Sequence, residues 1–309
     1  MSRSEPPLLV LAGPTAVGKT GLALELCQRL GAEVVSADSV QVYRGLDIGS
    51  AKPTPEELAQ APHHLIDVAD PEEEFDAGRF VELAQAAVAE ITARGKRVLV
   101  VGGTGLYIKA LLYGLAPMPP VDRELRRRLA RQWEEQGAEA LHARLAELDR
   151  EAAGRLHPHD RQRVLRSLEV CLQTGQSLSA FQAAHGFGRP RYRFLLLGLE
   201  RPRAELFQRI EQRCRLMWQG GMVEEVRGLL AAGVSPRARS LGSLGYAQVV
   251  AMLAGELSEG EALEQMIKKT RAYAKRQLTW FRGMEGINWF AADDRPGILA
   301  AARDFWEAR

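Results

Sequence analysis

The segment GPTAVGKT, Gly13–Thr20, constrains this 309-residue chain more than any other part of its sequence. It matches the phosphate-loop pattern of glycine, four variable residues, glycine, lysine, and serine or threonine. An apolar run at Pro7–Ala12 precedes it, and a helical pattern at Gly18–Leu30 follows it. Because phosphate binding requires strand, loop and helix in this order, the segment predicts an α/β core.

The loop predicts a diphosphate site that is built largely from backbone. Its N–H groups would point inward at a helix N-terminus, while Lys19 adds positive charge and the Thr20 hydroxyl can bind Mg²⁺. The alternative is a glycine-rich turn with a surface lysine. We predict that the whole loop contributes to diphosphate binding: Gly13, Pro14, Thr15, Ala16, Val17, Gly18, Lys19 and Thr20.

The N-terminal third of the chain alternates short apolar runs with helical patterns, which is typical of a parallel sheet covered by helices. Further strands are predicted at Ala32–Ala37, His63–Val68 and Arg97–Val101, and helices at Asp76–Arg94 and Gly105–Tyr113. The predicted fold class is therefore α/β, with a parallel sheet core like that of the phosphate-loop NTPases.

A proline-rich break at Ala116–Asp122 interrupts this alternation. Only helical patterns follow it until an apolar run at Phe194–Leu199, where the sheet is predicted to resume. We therefore expect an α-helical insertion at residues 119–192 within a core of residues 1–118 and 193–309. Long helices that begin at Arg203 and Gly260 would complete the core.

The charge is unevenly distributed along the chain, although the net charge is only +2. Residues 121–215 contain 19 arginines, no lysine and 13 acidic residues, a balance of +6, whereas the remainder carries −4. Arginine makes planar, bidentate contacts with phosphate, so this bias fits a nucleic acid partner. A high genomic G+C content would also favour arginine codons.

Three cysteines, Cys27, Cys171 and Cys214, lie far apart without the spacing of metal ligands. We interpret them as buried thiols in a reducing compartment. The apolar run before Gly13 is too short for a signal peptide or a membrane span. A soluble, cytoplasmic protein that binds no membrane is expected.

Two polar residues follow predicted strands and are candidates for chemistry. Asp38 comes after the second strand and Thr104 after the fourth, where an open α/β sheet faces its ligand. Both could instead cap the segment that follows. Nucleotide hydrolases and kinases pair the loop with an aspartate after a strand, and Asp67 is the weaker candidate for that role. A diphosphate other than that of a nucleotide is therefore also considered.

One further helix carries basic and aromatic residues together. Arg271, Lys275, Leu278 and Arg282 follow helical spacing, and a parallel stripe contains Lys269, Tyr273, Arg276 and Trp280. This pattern fits RNA contact, with Lys275 and Arg276 as candidates. A solvated basic face beside one buried aromatic stripe is the alternative.

Seven motifs together resemble the bacterial tRNA dimethylallyltransferases along nearly the whole chain. They read GPTAVGKT, DSVQVYRGLDIGSAKP, HHLID, VGGTGLYIKAL, HPHDRQRVLRSLEV, LGYAQ and AKRQLTWFR, in the order and spacing of that family. Its eukaryotic members carry a C-terminal zinc finger, which we do not expect here.

The resemblance implies transfer of a dimethylallyl group from dimethylallyl diphosphate to the exocyclic N6 amine of the tRNA adenosine just 3′ of the anticodon. The base would leave its stack and enter a channel between core and insertion. By this resemblance Asp38 is the general base, Thr104 the channel threonine, and Arg213 joins Thr15, Lys19 and Thr20 on the diphosphate. Mg²⁺ would bind at Thr20.

The same resemblance places tRNA contacts on two stretches and on Arg126. With the two helix candidates above, the predicted tRNA-binding residues are Asp38, Ser39, Val40, Gln41, Arg126, Gln162, Arg163, Val164, Leu165, Arg166, Lys275 and Arg276. We expect the protein to act on tRNA as a monomer.

Three other functions are considered. An isopentenyltransferase acting on free adenine nucleotides has a similar core, but a small acceptor would not need the arginine-rich insertion. A phosphate-loop kinase for a small molecule would use Asp38 as base on a hydroxyl and Asp67 as metal support. A nucleotide-regulated RNA-binding protein would transfer no group.

Overall fold

The computed structural model describes residues 5–120, 122–186 and 188–308. Val121, part of the predicted proline-rich break, lies outside the described residues. Within them six parallel strands form one sheet in the order β3-β2-β4-β1-β5-β6. The strands are β1 Leu8–Ala12, β2 Ala32–Ala37, β3 His63–His64, β4 Arg97–Gly102, β5 Phe194–Glu200 and β6 Ile287–Ala291. The predicted parallel α/β fold is confirmed.

Helices cover this sheet and form the segment between β4 and β5. They are α1 Lys19–Leu30, α2 Pro55–Gln60, α3 Ala77–Ala93, α4 Gly105–Tyr113, α5 Arg123–Leu148, α6 Arg150–Arg155, α7 Arg161–Thr174, α8 Leu178–His185, α9 Arg203–Met217, α10 Val223–Ala231, α11 Tyr246–Leu253, α12 Glu259–Arg282 and α13 Arg295–Glu307. A π-helical turn at Trp218–Met222 joins α9 to α10.

Strand β1 lies inside the sheet, between β4 and β5, and is apolar throughout. All five of its residues, LLVLA, are fully buried. A parallel strand that is covered on both faces has this continuous apolar sequence rather than an alternating one. The apolar run that predicted a strand before the phosphate loop thus fits its buried position inside the sheet.

The pairing register brings three strands to the same level at their carboxyl ends. Ala12 of β1 pairs with Gly102 of β4, and Gly102 pairs with Ala37 of β2. A Cβ at Gly102 would overlap the carbonyl oxygen of Ala37, so only glycine fits there. The residues that follow the three strands therefore begin side by side at one edge of the sheet.

The third strand is shorter than predicted, and one strand was not predicted. The expected strand at His63–Val68 ends after His64 because Leu65 and Asp67 have φ of 65° and 56°, in the left-handed region. At the other edge, β6 pairs only with β5, and its mixed exposure gives a weak sequence pattern. The prediction of a strand at 65–68 is wrong.

The chain forms two compact units, one of Met1–Leu112 with Arg191–Arg309 and one of Tyr113–Pro190. The second unit contains most of the predicted insertion and holds α5 to α8. Its own apolar core is formed by Leu125, Leu129, Leu141, Leu145, Ala153, Val164 and Leu168. Helix α5 bends at Gly137, which has φ of 84°. None of the helices described is long and apolar enough to cross a membrane.

Leu99 provides a test of the central core, because its side chain on β4 is fully buried. Replacing Leu99 by Ala leaves a cavity and should lower the free energy of unfolding by about 2–5 kcal/mol. Leu58→Ala on α2 is the control, since Leu58 is 39% exposed and should change stability by less than about 0.5 kcal/mol. Denaturant unfolding of both variants measures this. Equal losses would contradict the assigned position of β4.

Candidate active site

A cavity of about 940 Å³ lies beyond the carboxyl ends of β1, β2 and β4. Its walls come from the phosphate loop, the segment after β2, and helices α9 and α12. The predicted site residues that line it are Thr15, Ala16, Gly18, Lys19, Thr20, Asp38, Ser39, Val40, Gln41 and Arg213. The structure therefore brings most of the predicted diphosphate residues and the predicted base into one cavity. Gly13, Pro14, Val17 and Thr104 are not among the residues that line it.

The phosphate loop is held by close packing and by two arginines. A Cβ at Gly13 would lie 2.9 Å from the carbonyl oxygen of Leu199 on β5, so only glycine fits at this position of the loop. The Nε groups of Arg209 and Arg201 donate to the carbonyl oxygens of Ala16 and Val17, each at 2.9 Å. Unbonded, these carbonyl oxygens would repel a bound anion. Each of them instead accepts a hydrogen bond from an arginine.

Lys19 and Arg213 are two of the cationic residues that line the cavity. The Lys19 ammonium donates to the carbonyl oxygens of Gly13 and Pro14, both at 2.9 Å. Burial and the neighbouring charge of Arg213 lower the pKa of Lys19 to about 8, while Asp38 acts in the opposite direction. Burial also lowers the pKa of Arg213, again opposed by Asp38. Such a partly desolvated pair of cations favours an anionic ligand.

The Asp38 carboxylate is fixed by its own backbone turn. Its Oδ1 accepts N–H groups of Val40 at 2.8 Å and Gln41 at 3.2 Å. The capping role considered from the sequence is therefore present, although the capped segment is a turn and not a helix. The carboxylate also lines the cavity, so capping and proton transfer are compatible.

Thr104 connects the segment after β4 to the segment after β2. Its Oγ1 accepts the N–H of Ser39 at 3.2 Å, and its own N–H donates to the carbonyl oxygen of Ala37 at 3.2 Å. Tyr273 lies near the side chains of Thr104 and Gln277, which act to lower the pKa of its hydroxyl. Burial, together with the charge of Asp38, raises the pKa of Tyr273 to about 12, so this hydroxyl stays protonated at neutral pH.

Glu225 holds a wall of the cavity that sequence reasoning did not identify. Its carboxylate accepts the N–H groups of Asp47 at 2.9 Å, Ile48 at 2.7 Å and Gly49 at 3.2 Å, and the hydroxyl of Tyr246 at 2.7 Å. Asp47, Ile48 and Gly49 lie in the motif DSVQVYRGLDIGSAKP, and Tyr246 lies in LGYAQ. Their pairing depends on a long-range contact that sequence spacing does not reveal.

The predicted RNA-contacting residues of the second unit have different surroundings. Arg126 and Arg166 each pair with Glu169, at 3.2 Å and 3.1 Å, and the side chain of Glu169 is only 2% exposed. By contrast, the side chain of Arg163 is 67% exposed and lies 3.6 Å from Asp160. Arg163 is therefore available to a partner, while Arg126 and Arg166 neutralise a buried carboxylate.

Two of the predicted tRNA contacts belong to the apolar core of the second unit. Val164 is fully buried in that core, and Leu165 packs against it. The side chain of Val164 has no exposed surface, so an RNA contact at this position could use only its backbone, and it stays a prediction. Gln162 lies at the exposed start of α7, and its contact with RNA stays a prediction.

Both predicted RNA-binding residues of α12 are exposed. The Lys275 ammonium lies 5.6 Å from the centre of the Phe207 ring, and the Arg276 guanidinium 5.8 Å from that of Tyr273. Tyr273 of the aromatic stripe lines the cavity, and so does Gln277 one turn later. The helix thus has a basic exposed side and a polar side toward the site.

Asp67 does not support the kinase alternative. It lies outside β3, does not line the cavity, and pairs with Lys52 at 2.5 Å. Among the residues that the structure describes, no cluster of three or more histidine, cysteine or carboxylate side chains could hold a metal ion. Mg²⁺ commonly uses few protein ligands with substrate phosphates, and the Thr20 hydroxyl at the cavity fits that use.

Comparison with known proteins gives a consistent result. The family model described as IPP transferase matches residues 41–284. The chain is 52% identical over 282 residues to a tRNA dimethylallyltransferase of Geobacter metallireducens, covering 91% of each chain. It is 50% identical over 295 residues to that of Anaeromyxobacter dehalogenans, covering 95% of this chain and 97% of the relative.

Two solved structures share the fold over 98% of this chain. A tRNA isopentenylpyrophosphate transferase of Bacillus halodurans superposes with a TM-score of 0.73 at 35% identity, over 97% of its chain. A eukaryotic dimethylallyltransferase, described as acting on tRNA, superposes with a TM-score of 0.83 at 28% identity, over 80% of its chain. From the matched residues and these likenesses, the chain belongs to the IPP transferase family.

Proposed function

We propose that this protein transfers a dimethylallyl group from dimethylallyl diphosphate to the exocyclic N6 amine of the tRNA adenosine next to the anticodon, releasing diphosphate. The observation that carries the proposal is one cavity that contains the phosphate loop, Lys19, Arg213 and the Asp38 carboxylate. The names of the relatives, tRNA dimethylallyltransferases, support the same reaction.

The residues of the cavity match the charge changes of this transfer. The allylic C–O bond breaks and its electron pair leaves with the diphosphate, while the amine nitrogen forms the new C–N bond. Lys19, Arg213 and loop N–H groups would stabilise the departing diphosphate. Asp38 would accept the proton that the nitrogen loses, so atoms and charges balance.

Mg²⁺ would be held by the Thr20 hydroxyl at the start of α1, together with oxygens of the diphosphate. Bound there, the ion would neutralise charge on the leaving group. Thr20 lies on the wall of the cavity in the first turn of the helix that follows the loop. The position suits an oxygen ligand beside the diphosphate.

A stacked anticodon-loop base cannot react until it leaves the stack, so the enzyme must hold the RNA while the base is turned out. Exposed arginines such as Arg163 would contact the backbone phosphates. A transferase for free adenine nucleotides would gain nothing from these charges. The relatives named as tRNA enzymes also favour the RNA acceptor.

The proposal is tested by incubating the protein with unmodified tRNA, dimethylallyl diphosphate and Mg²⁺ and analysing the nucleosides by mass spectrometry. A prenylated adenosine next to the anticodon is expected. Parallel reactions with free AMP and with ATP plus small alcohols test the nucleotide transferase and the kinase. Modification of AMP but not tRNA, or phosphorylation without prenylation, would contradict the proposal.

Asp38→Asn tests the general base. Asparagine can still accept the N–H groups of Val40 and Gln41 but cannot take the amine proton at neutral pH. Single turnover at saturating tRNA and donor should slow by about 10²- to 10⁴-fold, with affinities kept. Asp76→Asn is the control, because Asp76 caps α3 by accepting the Arg79 N–H at 2.9 Å and does not line the cavity. An Asp38→Asn rate within threefold of the parent would refute the assignment.

Lys19 should make binding of inorganic diphosphate depend on pH. Its pKa in the free protein is about 8, and a bound anion would raise it, so its contribution is present below pH 8 and declines as pH rises. The affinity ratio of the parent to Lys19→Ala should fall about tenfold between about pH 7 and about pH 9. Calorimetry on both proteins cancels the titration of the ligand itself. An affinity ratio that does not change with pH would show that the Lys19 charge does not contribute to diphosphate binding.

Arg163 and Arg166 should respond differently to replacement by Ala. Arg163→Ala should weaken tRNA binding and reduce the salt slope by about one, with unchanged stability. Arg166→Ala should also lower thermal stability, because Glu169 loses one of its two partners. Arg79→Ala is the matched control, an exposed arginine in an i,i+3 pair on α3. If Arg79→Ala and Arg163→Ala have the same salt slope, the RNA surface lies elsewhere.

A further inference from the structure

Gln277 joins two loops of the cavity through one side chain. It lies on α12 and is only 6% exposed. Its Oε1 accepts the N–H of Thr15 at 2.9 Å, and its Nε2 donates to the carbonyl oxygen of Gly103 at 2.9 Å. A backbone N–H can only donate and a carbonyl oxygen can only accept, so these partners fix the orientation of the amide.

The contact with Gly103 depends on the absence of a side chain there. A Cβ at Gly103 would overlap the Nε2 atom of Gln277, so only glycine permits this approach. The neighbouring carbonyl oxygen of Gly13 would lie 3.4 Å from the same Cβ. The phosphate loop and the loop after β4 are therefore packed against each other at Gln277.

The contact at Gly103 is linked to the predicted base through the backbone. Thr104 directly follows Gly103, whose carbonyl oxygen accepts from Gln277. Thr104 in turn accepts the N–H of Ser39, the residue next to Asp38. Helix α12 thus connects the phosphate loop to the segment that carries Asp38.

We propose that Gln277 is a positioning residue, which fixes the distance between the bound diphosphate and the Thr104–Asp38 side of the cavity. The proposal rests on the proposed function, because it assigns donor and acceptor to these two sides. Group transfer needs both partners aligned, and a displacement of about 1 Å can cost about 10²-fold in rate. A buried amide whose two ends are both bonded can keep that spacing.

Gln277→Met tests the proposal, because methionine has similar length and forms neither hydrogen bond. The control is Gln248→Met, since Gln248 is 3% exposed, caps α11 by accepting the Gly245 N–H at 3.0 Å, and contacts neither loop. In Gln277→Met, kcat should fall about 10- to 10²-fold, while KM for donor and tRNA changes less than about threefold. Gln248→Met should lose stability and keep kcat.

Hydrogen exchange gives a second readout that does not need the reaction. Adding inorganic diphosphate should slow amide exchange around Gly103–Gly105 in the parent and in Gln248→Met, but not in Gln277→Met. A Gln277→Met protein with parental kcat, or with the parental exchange response, would overturn the proposal. If the parent transfers no prenyl group, the proposed function fails, and the exchange comparison alone decides whether Gln277 couples the loops.

Discussion

The parallel pairing of β1, β2 and β4 at a common level is the constraint on which the site depends. It places the starts of the phosphate loop, the Asp38 turn and the Thr104 segment side by side, before any side chain contact is considered. Gly102 permits this register, because a Cβ there would collide with the backbone of β2. The position of the cavity thus follows from backbone geometry. The side chains that line it determine what it can bind.

The positively charged residues of the cavity and those of the second unit have different surroundings. Inside the cavity Lys19 and Arg213 are buried enough to lose part of their hydration, which lowers the pKa of both and makes an anion their natural partner. In the second unit Arg163 stays in water, while Arg126 and Arg166 neutralise Glu169. Arginine content alone therefore overstates the surface that is free to hold an RNA.

Features that depend on local pattern could be predicted from the sequence. The phosphate loop, β1, β2, β4 and the resumption of the sheet at β5 follow from apolar runs and glycine positions. The end of β3 could not be predicted, because Leu65 adopts a left-handed backbone that leucine does not favour. The roles of Gln277 and Glu225 depend on contacts between distant segments. Gln277 lies in the motif AKRQLTWFR, which does not reveal its partners, and Glu225 lies in none of the seven motifs.

The central claim is that donor and acceptor meet in the cavity at the carboxyl edge of the sheet. An experimental structure with Mg²⁺, a non-reactive analogue of dimethylallyl diphosphate and an anticodon stem-loop tests it most directly. We expect the diphosphate on the loop beside Lys19 and Arg213, and the N6 amine of the turned-out adenosine within about 3 Å of the Asp38 carboxylate. An adenosine that remains stacked, or an amine nearer to another acceptor than to Asp38, would contradict the account.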